Sequence, residues 1–206
     1  MPQRNLQTAN QMAQRNKSVS STRRNTVRLI GGRWRHRLLH FPSMDGLRPT
    51  ADAVRERLFN WLGQDLTGWH CLDLFAGSGA LGFEAASRGA VQVVMVERNR
   101  TAYQALEVNR QQLDAVMVQT ICADGIAWLQ QCKLTEAFAG FNLVLLDPPF
   151  ALSLHTAALT HIQSLLAPSA FVYVEHDGTL QLPEDWAVWR EGRSGLAHYC
   201  LLRPTI

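Results

Sequence analysis

The stretch Cys71–Ala86, CLDLFAGSGALGFEAA, decides the fold class. An apolar run ends at Asp73 to Phe75, glycines follow, and residues suited to a helix begin near Gly79. A strand, tight turn and helix in this order form the opening unit of a doubly wound sheet, whose ligands settle at the carboxyl ends of the strands. Gly77, Gly79 and Gly82 satisfy G-x-G-x-x-G, a weak signal by itself because dinucleotide-binding domains share it.

Downstream, short apolar runs alternate with helical segments. Strands are predicted near 70–75, 91–96, 117–121, 141–146 and 170–175, with helices starting near Gly79, Thr101, Gly125 and Leu154. This rhythm predicts an α/β fold, a doubly wound Rossmann-like sheet that is mostly parallel. The runs WAVWRE and LAHYCLLR lie too close together, around Gly192 and Gly195, for a crossover helix. They predict a C-terminal antiparallel hairpin.

Upstream, Thr50 precedes Val54, Leu58, Trp61 and Leu62 at helical spacing, which predicts a helix with Thr50 as N-cap, ending near Gly63. The run Val27–Phe41, VRLIGGRWRHRLLHF, predicts a hairpin with Gly31 and Gly32 as its turn. Residues 1–26 are rich in Gln, Asn, Ser, Thr and Arg without apolar periodicity, so they cannot bury enough surface to offset ordering entropy. The chain therefore divides into a disordered basic tail (1–26), a basic β-hairpin extension (27–47) and the α/β domain (48–206).

The 206 residues carry a net charge of +3, and 47% are hydrophobic, enough for a sizeable core. Arg4, Arg15, Lys17, Arg23, Arg24, Arg28, Arg33, Arg35 and Arg37 all precede the first acidic residue, Asp45. In Arg33–Arg37 an aromatic ring is interleaved with guanidinium groups, a pairing suited to phosphates and unstacked bases, although charge blocks also occur in idle solvated tails. The candidate nucleic-acid contacts are Arg28, Arg33, Trp34, Arg35, Arg37 and Arg48. No run approaches the ~20 apolar residues of a membrane span and no signal peptide opens the chain, so a soluble, cytoplasmic protein is expected. Cys71, Cys122, Cys132 and Cys200 are scattered without C-x-x-C spacing, which predicts reduced structural thiols and no metal. Nothing in the pattern suggests a large spare apolar face, so a monomer is expected.

Asp73 stands just before the glycine loop, where its charge would oppose a pyrophosphate. A cationic ligand fits better, such as the sulfonium and ammonium of S-adenosylmethionine. Glu97 ends the next apolar run, where an acidic strand tip can accept bonds from both ribose hydroxyls. Asp124 follows the third strand and either takes an adenine amine or simply caps the next helix.

The fourth predicted strand ends in Asp147, Pro148, Pro149 and Phe150. An exocyclic amine on a base is a poor nucleophile because its lone pair is delocalised into the ring. The Asp147 carboxylate and the Pro148 carbonyl could accept its two protons and aim the lone pair at a methyl donor, while Phe150 stacks on the base. Two adjacent prolines stiffen such a loop. Rate would come from alignment, with reacting atoms ~3 to 3.5 Å apart, and from electrostatics. The target base would have to leave any stack.

Taken together, the glycine loop, the acidic strand tip and D-P-P-F resemble the bacterial family of 16S ribosomal RNA guanine-N2 methyltransferases, over about Val27 to Arg203. VRLIGGRWRHRLL and GLRPTADAVRERLFNWL resemble that family's own preface to the domain. The resemblance implies a class I S-adenosylmethionine-dependent methyltransferase whose substrate is 16S ribosomal RNA in an assembling small-subunit particle. It implies a cofactor site of Asp73, Ala76, Gly77, Ser78, Gly79, Glu97, Arg98, Asp124 and Thr50, with Arg48 and Pro49 close over it. Asp147 to Phe150 would hold the guanine. His36 departs from the glycine expected in the family's G-x-x-R-G-R segment.

Three other readings compete. Related proline-proline-aromatic motifs serve adenine-N6 and protein-glutamine methyltransferases. A non-catalytic RNA-binding module would use the basic hairpin alone, and an oxidoreductase would rest on G-x-G-x-x-G.

Overall fold

The computed structural model describes residues 24–44, 47, 49–135, 138–148 and 154–205. Seven strands form one sheet in the order β5-β4-β3-β6-β7-β9-β8: β3 (His70–Asp73), β4 (Gln92–Glu97), β5 (Val118–Cys122), β6 (Phe141–Leu146), β7 (Leu166–His176), β8 (Trp186–Ser194) and β9 (Ala197–Pro204). The first five are mutually parallel; β9 runs antiparallel to β7, and β8 to β9. The central strands β4 and β6 read as continuous apolar runs because both of their faces are covered. Chain order reverses at β3, with β4 on one side and β6 on the other, which is the switch point where sheets of this kind hold ligands in a crevice above the carboxyl ends of the strands.

One face packs against α1 (Asp52–Leu62), α2 (Ala80–Ser87) and α3 (Arg100–Gln112), joined by a small two-stranded sheet. The other face meets α4 (Gly125–Gln131) and α5 (His155–Ile162). Helix α1 buries Val54, Leu58, Phe59 and Leu62, and ends at Gly63, whose φ of 95° suits glycine. Its N-cap is Ala51, without a side-chain cap; Thr50 is therefore not the expected N-cap, and its hydroxyl is used elsewhere. Among the thiols, Cys71 and Cys200 are buried as expected, whereas Cys122 is exposed.

The two-stranded sheet pairs β1 (Arg24–Arg28) with β2 (Leu38–Pro42), from Arg24 opposite Pro42 to Arg28 opposite Leu38. Arg24 to Thr26 thus belong to a strand and not to the tail. Gly31 and Gly32 do not form a two-residue turn either. The connection spans residues 29–37 and docks on the end of α2. Arg33 N–H donates to Ser87 O at 2.7 Å, Trp34 N–H to Ser87 Oγ at 2.9 Å, and Ser87 Oγ donates to Gly31 O at 2.6 Å. A Cβ on Gly32, whose φ is 70°, would lie 1.8 Å from Ser87 O. The glycines serve close approach of two backbones.

An interior ion network locks this extension to the domain. The Glu84 carboxylate accepts from Arg55 Nη1 at 3.1 Å, from Arg88 Nε and Nη2 at 3.0 and 2.9 Å, and from Ile30 N–H at 2.9 Å. Arg55 also donates to the carbonyls of Arg28 and Thr50, at 2.8 and 3.2 Å, and to Asp52 at 2.6 Å. One guanidinium thereby ties β1, α1 and the segment carrying Thr50 to α2.

Candidate active site at the strand tips

Register alone brings the acidic candidates together. Met95 lies opposite Asp73, and Asp73 opposite Leu145, in parallel ladders. Because side chains alternate along a strand, Glu97, two past Met95, and Asp147, two past Leu145, project to the same face as Asp73. Leu146 pairs with Val174, so Asp147 and Glu175 are the next residues along β6 and β7. Four adjacent strand tips therefore carry a row of carboxylates: Glu97, Asp73, Asp147, Glu175. Among the described residues, no Arg or Lys forms an ion pair with any of them.

The glycine loop hangs on this row. Ala76 and Ser78 are buried, and Gly77 and Gly79 have φ of 51° and 80°, which glycine adopts without strain. Gly77 N–H donates to Glu97 Oε2 at 2.9 Å and Asn99 N–H to Oε1 at 2.6 Å, so Glu97 shapes the loop before it meets any ligand. Asp73, 2% exposed, accepts from Gly82 N–H at 2.9 Å in the first turn of α2. Burial pushes its carboxyl up to about 7; the Gly82 N–H opposes the rise and the Glu97 charge adds to it. Thr50, also buried, donates its hydroxyl to Asp147 Oδ2 at 3.2 Å. Asp147 is raised well above the usual carboxylate range, first by burial and then by the charges of Glu175 and Asp73, against the Thr50 bond. Burial also raises Glu175, partly offset by the Tyr173 hydroxyl bond to its Oε2 at 3.1 Å.

Other candidates lie further out. Asp124 is exposed and caps α4, accepting from Ala127 N–H at 3.0 Å, so its capping role is realised. Arg98 is exposed. Pro149, Phe150 and Arg48 lie outside the described residues, as does the tail before Arg24. Arg28 is half-exposed and sits 3.5 Å from Asp52. Arg33, Arg35 and Arg37 are exposed on the 29–37 loop, at the far end of α2 from the glycine loop and ~12 Å along that helix. Trp34 requires a correction: at 5% exposure it is a core residue, its ring covered by Arg33 at 5.0 Å, and it has no free face for a base.

Glu175 was missed. Its signal was present, since it ends the apolar run FVYVE just as Glu97 ends VVMVE. The Arg55–Glu84 pairing had no comparable signal, because the two residues stand 29 apart on different helices.

A doubly wound sheet closed by an antiparallel hairpin, with a glycine loop between strand-tip carboxylates and D-P-P after the fourth parallel strand, defines the Rossmann-like S-adenosylmethionine-dependent methyltransferase class. The chain belongs to the family described as "Conserved hypothetical protein 95", whose model matches residues 27–203. It is 39% identical over 180 residues to ribosomal RNA small subunit methyltransferase D of Escherichia coli, covering 85% of this chain and 88% of that protein. The protein of the same name from Haemophilus influenzae is likewise 39% identical, over 85% of this chain and 92% of its own length. A solved Escherichia coli structure, provisionally named a methyltransferase, is 35% identical with a TM-score of 0.76, and covers 88% of this chain and all of that one. Family and fold imply S-adenosylmethionine as methyl donor.

Proposed function

We propose that this protein methylates the exocyclic N2 of a guanine in 16S ribosomal RNA, within an assembling small subunit, as a cytoplasmic monomer. The observation that carries the reading is the row of four strand-tip carboxylates, none of which forms an ion pair with Arg or Lys among the described residues. A row of buried and half-buried like charges is costly unless cations and hydrogen-bond donors enter it. The sulfonium, ammonium and ribose hydroxyls of S-adenosylmethionine, and the amine of a base, supply both. The names of the relatives support ribosomal RNA as the acceptor.

Within the row, Glu97 and the loop from Ala76 to Gly79, with Ser78, suit the ribose and backbone of the cofactor; Asp73 and Thr50 suit its charged end. Asp124 and Arg98 border that half of the crevice. When bound, the cofactor supplies an electrophilic methyl group. Asp147 and the Pro148 carbonyl accept hydrogen bonds from the two N–H groups of the guanine amine, which aims the nitrogen lone pair, and Phe150 is assigned to stacking; once the methyl is on nitrogen, one of these protons is released to water. Asp147 is positioned by Thr50, and the lone pair is aligned instead of being activated by a strong base. The exposed Arg28, Arg33, Arg35 and Arg37, with Arg48, are assigned to RNA phosphates. The basic segment 27–47 thus serves docking, with the 1–26 region as an accessory tail, and 48–206 serves catalysis.

The test is methyl transfer from labelled S-adenosylmethionine to unmodified small-subunit particles, naked 16S RNA and duplex DNA. The expected product is N2-methylguanine in RNA, lost in Asp147→Ala with cofactor binding retained. Label in adenine or in protein would replace this reading.

A further inference from the structure

Glu175 occupies the last position of the carboxylate row. Sheet order runs Glu97 on β4, Asp73 on β3, Asp147 on β6 and Glu175 on β7. The glycine loop leaves β3 and is bonded to the tip of β4, which gives the β4–β3 half of the crevice to the methyl donor. What lies past Asp147 in the same direction faces the methyl acceptor.

The side chain is held for such a task. Tyr173, buried two residues earlier on the same face, donates its hydroxyl to Oε2, which orients the carboxylate and leaves Oε1 outside that bond. The Glu175 carbonyl lies 2.8 Å from His155 Nε2, which anchors the strand tip to α5. Among the described residues no guanidinium pairs with Asp147 or Glu175, and the two carboxylates on adjacent strands repel one another; two donors on neighbouring atoms of one ligand relieve both at once. Guanine presents that pair, N1–H beside the N2 amine. Adenine presents an N1 lone pair, which a carboxylate repels.

We propose that Glu175 reads the Watson–Crick edge of the target guanine, accepting N1–H while Asp147 and Pro148 orient the N2 amine. This assignment rests on the guanine-N2 reading above and makes Glu175 the residue that selects guanine over bases lacking N1–H. A site built around an N–H donor discriminates against analogues without it because its buried acceptor is then left unpaired.

The probe is RNA in which the nucleotide labelled by the wild type is replaced by 2-aminopurine, which keeps the N2 amine and lacks N1–H. Wild type should lose about 10- to 100-fold in kcat/KM on this substrate, the loss expected for one hydrogen bond to a charged group. Glu175→Gln should lose a similar factor on guanine and treat the two substrates within a few-fold of each other. It should bind S-adenosylmethionine like wild type in calorimetry, which also verifies its fold; Glu175→Asp, which withdraws the carboxylate by one methylene, is the second variant and should narrow the gap partway. Because 2-aminopurine also lacks O6, collapse of the gap in the variants is what assigns it to Glu175. Equal use of both substrates by wild type, or a gap that persists undiminished in folded variants, would overturn the assignment while the guanine-N2 reading stands. Absence of label in any guanine overturns both.

Discussion

Glu84 and Asp73 are interior carboxylates on neighbouring elements, 0% and 2% exposed, yet their surroundings are opposite. Glu84 is gripped by two guanidiniums and a backbone N–H, and every charge in that knot has a partner. Asp73 receives one backbone N–H and faces further carboxylates. A charge that is fully partnered inside the protein is architecture, here the clamp between the extension and the domain. A charge left to repel its neighbours is held ready for something arriving from outside, and the fold carries the strain.

The largest test of this contrast is Glu84→Gln, which takes from Arg88 its carboxylate partner and leaves Arg55 with only the half-exposed Asp52. Losing one partner of a buried pair costs about 3–5 kcal/mol. For a chain of this size that lowers Tm by roughly 6–20 °C, read by calorimetry. A shift of ~2 °C or less would mean the clamp is dispensable and the contrast empty.

The second test concerns pH. Asp73 titrates at about 7 in the folded chain against an ordinary 3.8, so the native state holds a proton between these values that the unfolded chain has released. The stability this contributes is present at the acid end and fades as pH climbs through about 7. The Tm of wild type relative to Asp73→Asn should therefore fall steadily across that window in the absence of cofactor. Affinity for S-adenosylmethionine should rise over the same range, since the ionised Asp73 attracts the positive end of the cofactor. A pH-independent difference between wild type and variant would show that Asp73 is as comfortable as Glu84.

The smallest effect is expected at the basic loop. Replacing Arg33, Arg35 and Arg37 with Ala should reduce the slope of log affinity against log salt by about 0.7–0.9 for each phosphate no longer neutralised. It should leave kcat at saturating RNA unchanged, because the loop sits at the remote end of α2. An unchanged slope would return these residues to the solvated-tail reading. Trp34→Phe should do the reverse, lowering Tm through poorer core packing without altering the slope.

The sequence by itself determined the sheet, the glycine loop and three of the four strand-tip carboxylates, because each is written in local pattern: apolar runs ending in an acid, glycines at a turn, prolines after a strand. Glu175 carried the same local mark, but only the pairing of β7 beside β6 showed which neighbours it joins. The tertiary structure alone decided three other matters. It turned Trp34 inward, since one exposed-looking aromatic among arginines gives no sign of which face its backbone presents. It assigned Gly31 and Gly32 to contact with α2, because the need for a missing Cβ lies in the partner 55 or so residues away. It also gave Thr50 to Asp147, across 97 positions, where sequence spacing offered only the nearby helix as a partner. Local chemistry is legible in a chain one residue after another; the countercharge or hydroxyl that completes it comes from wherever the sheet order brings it.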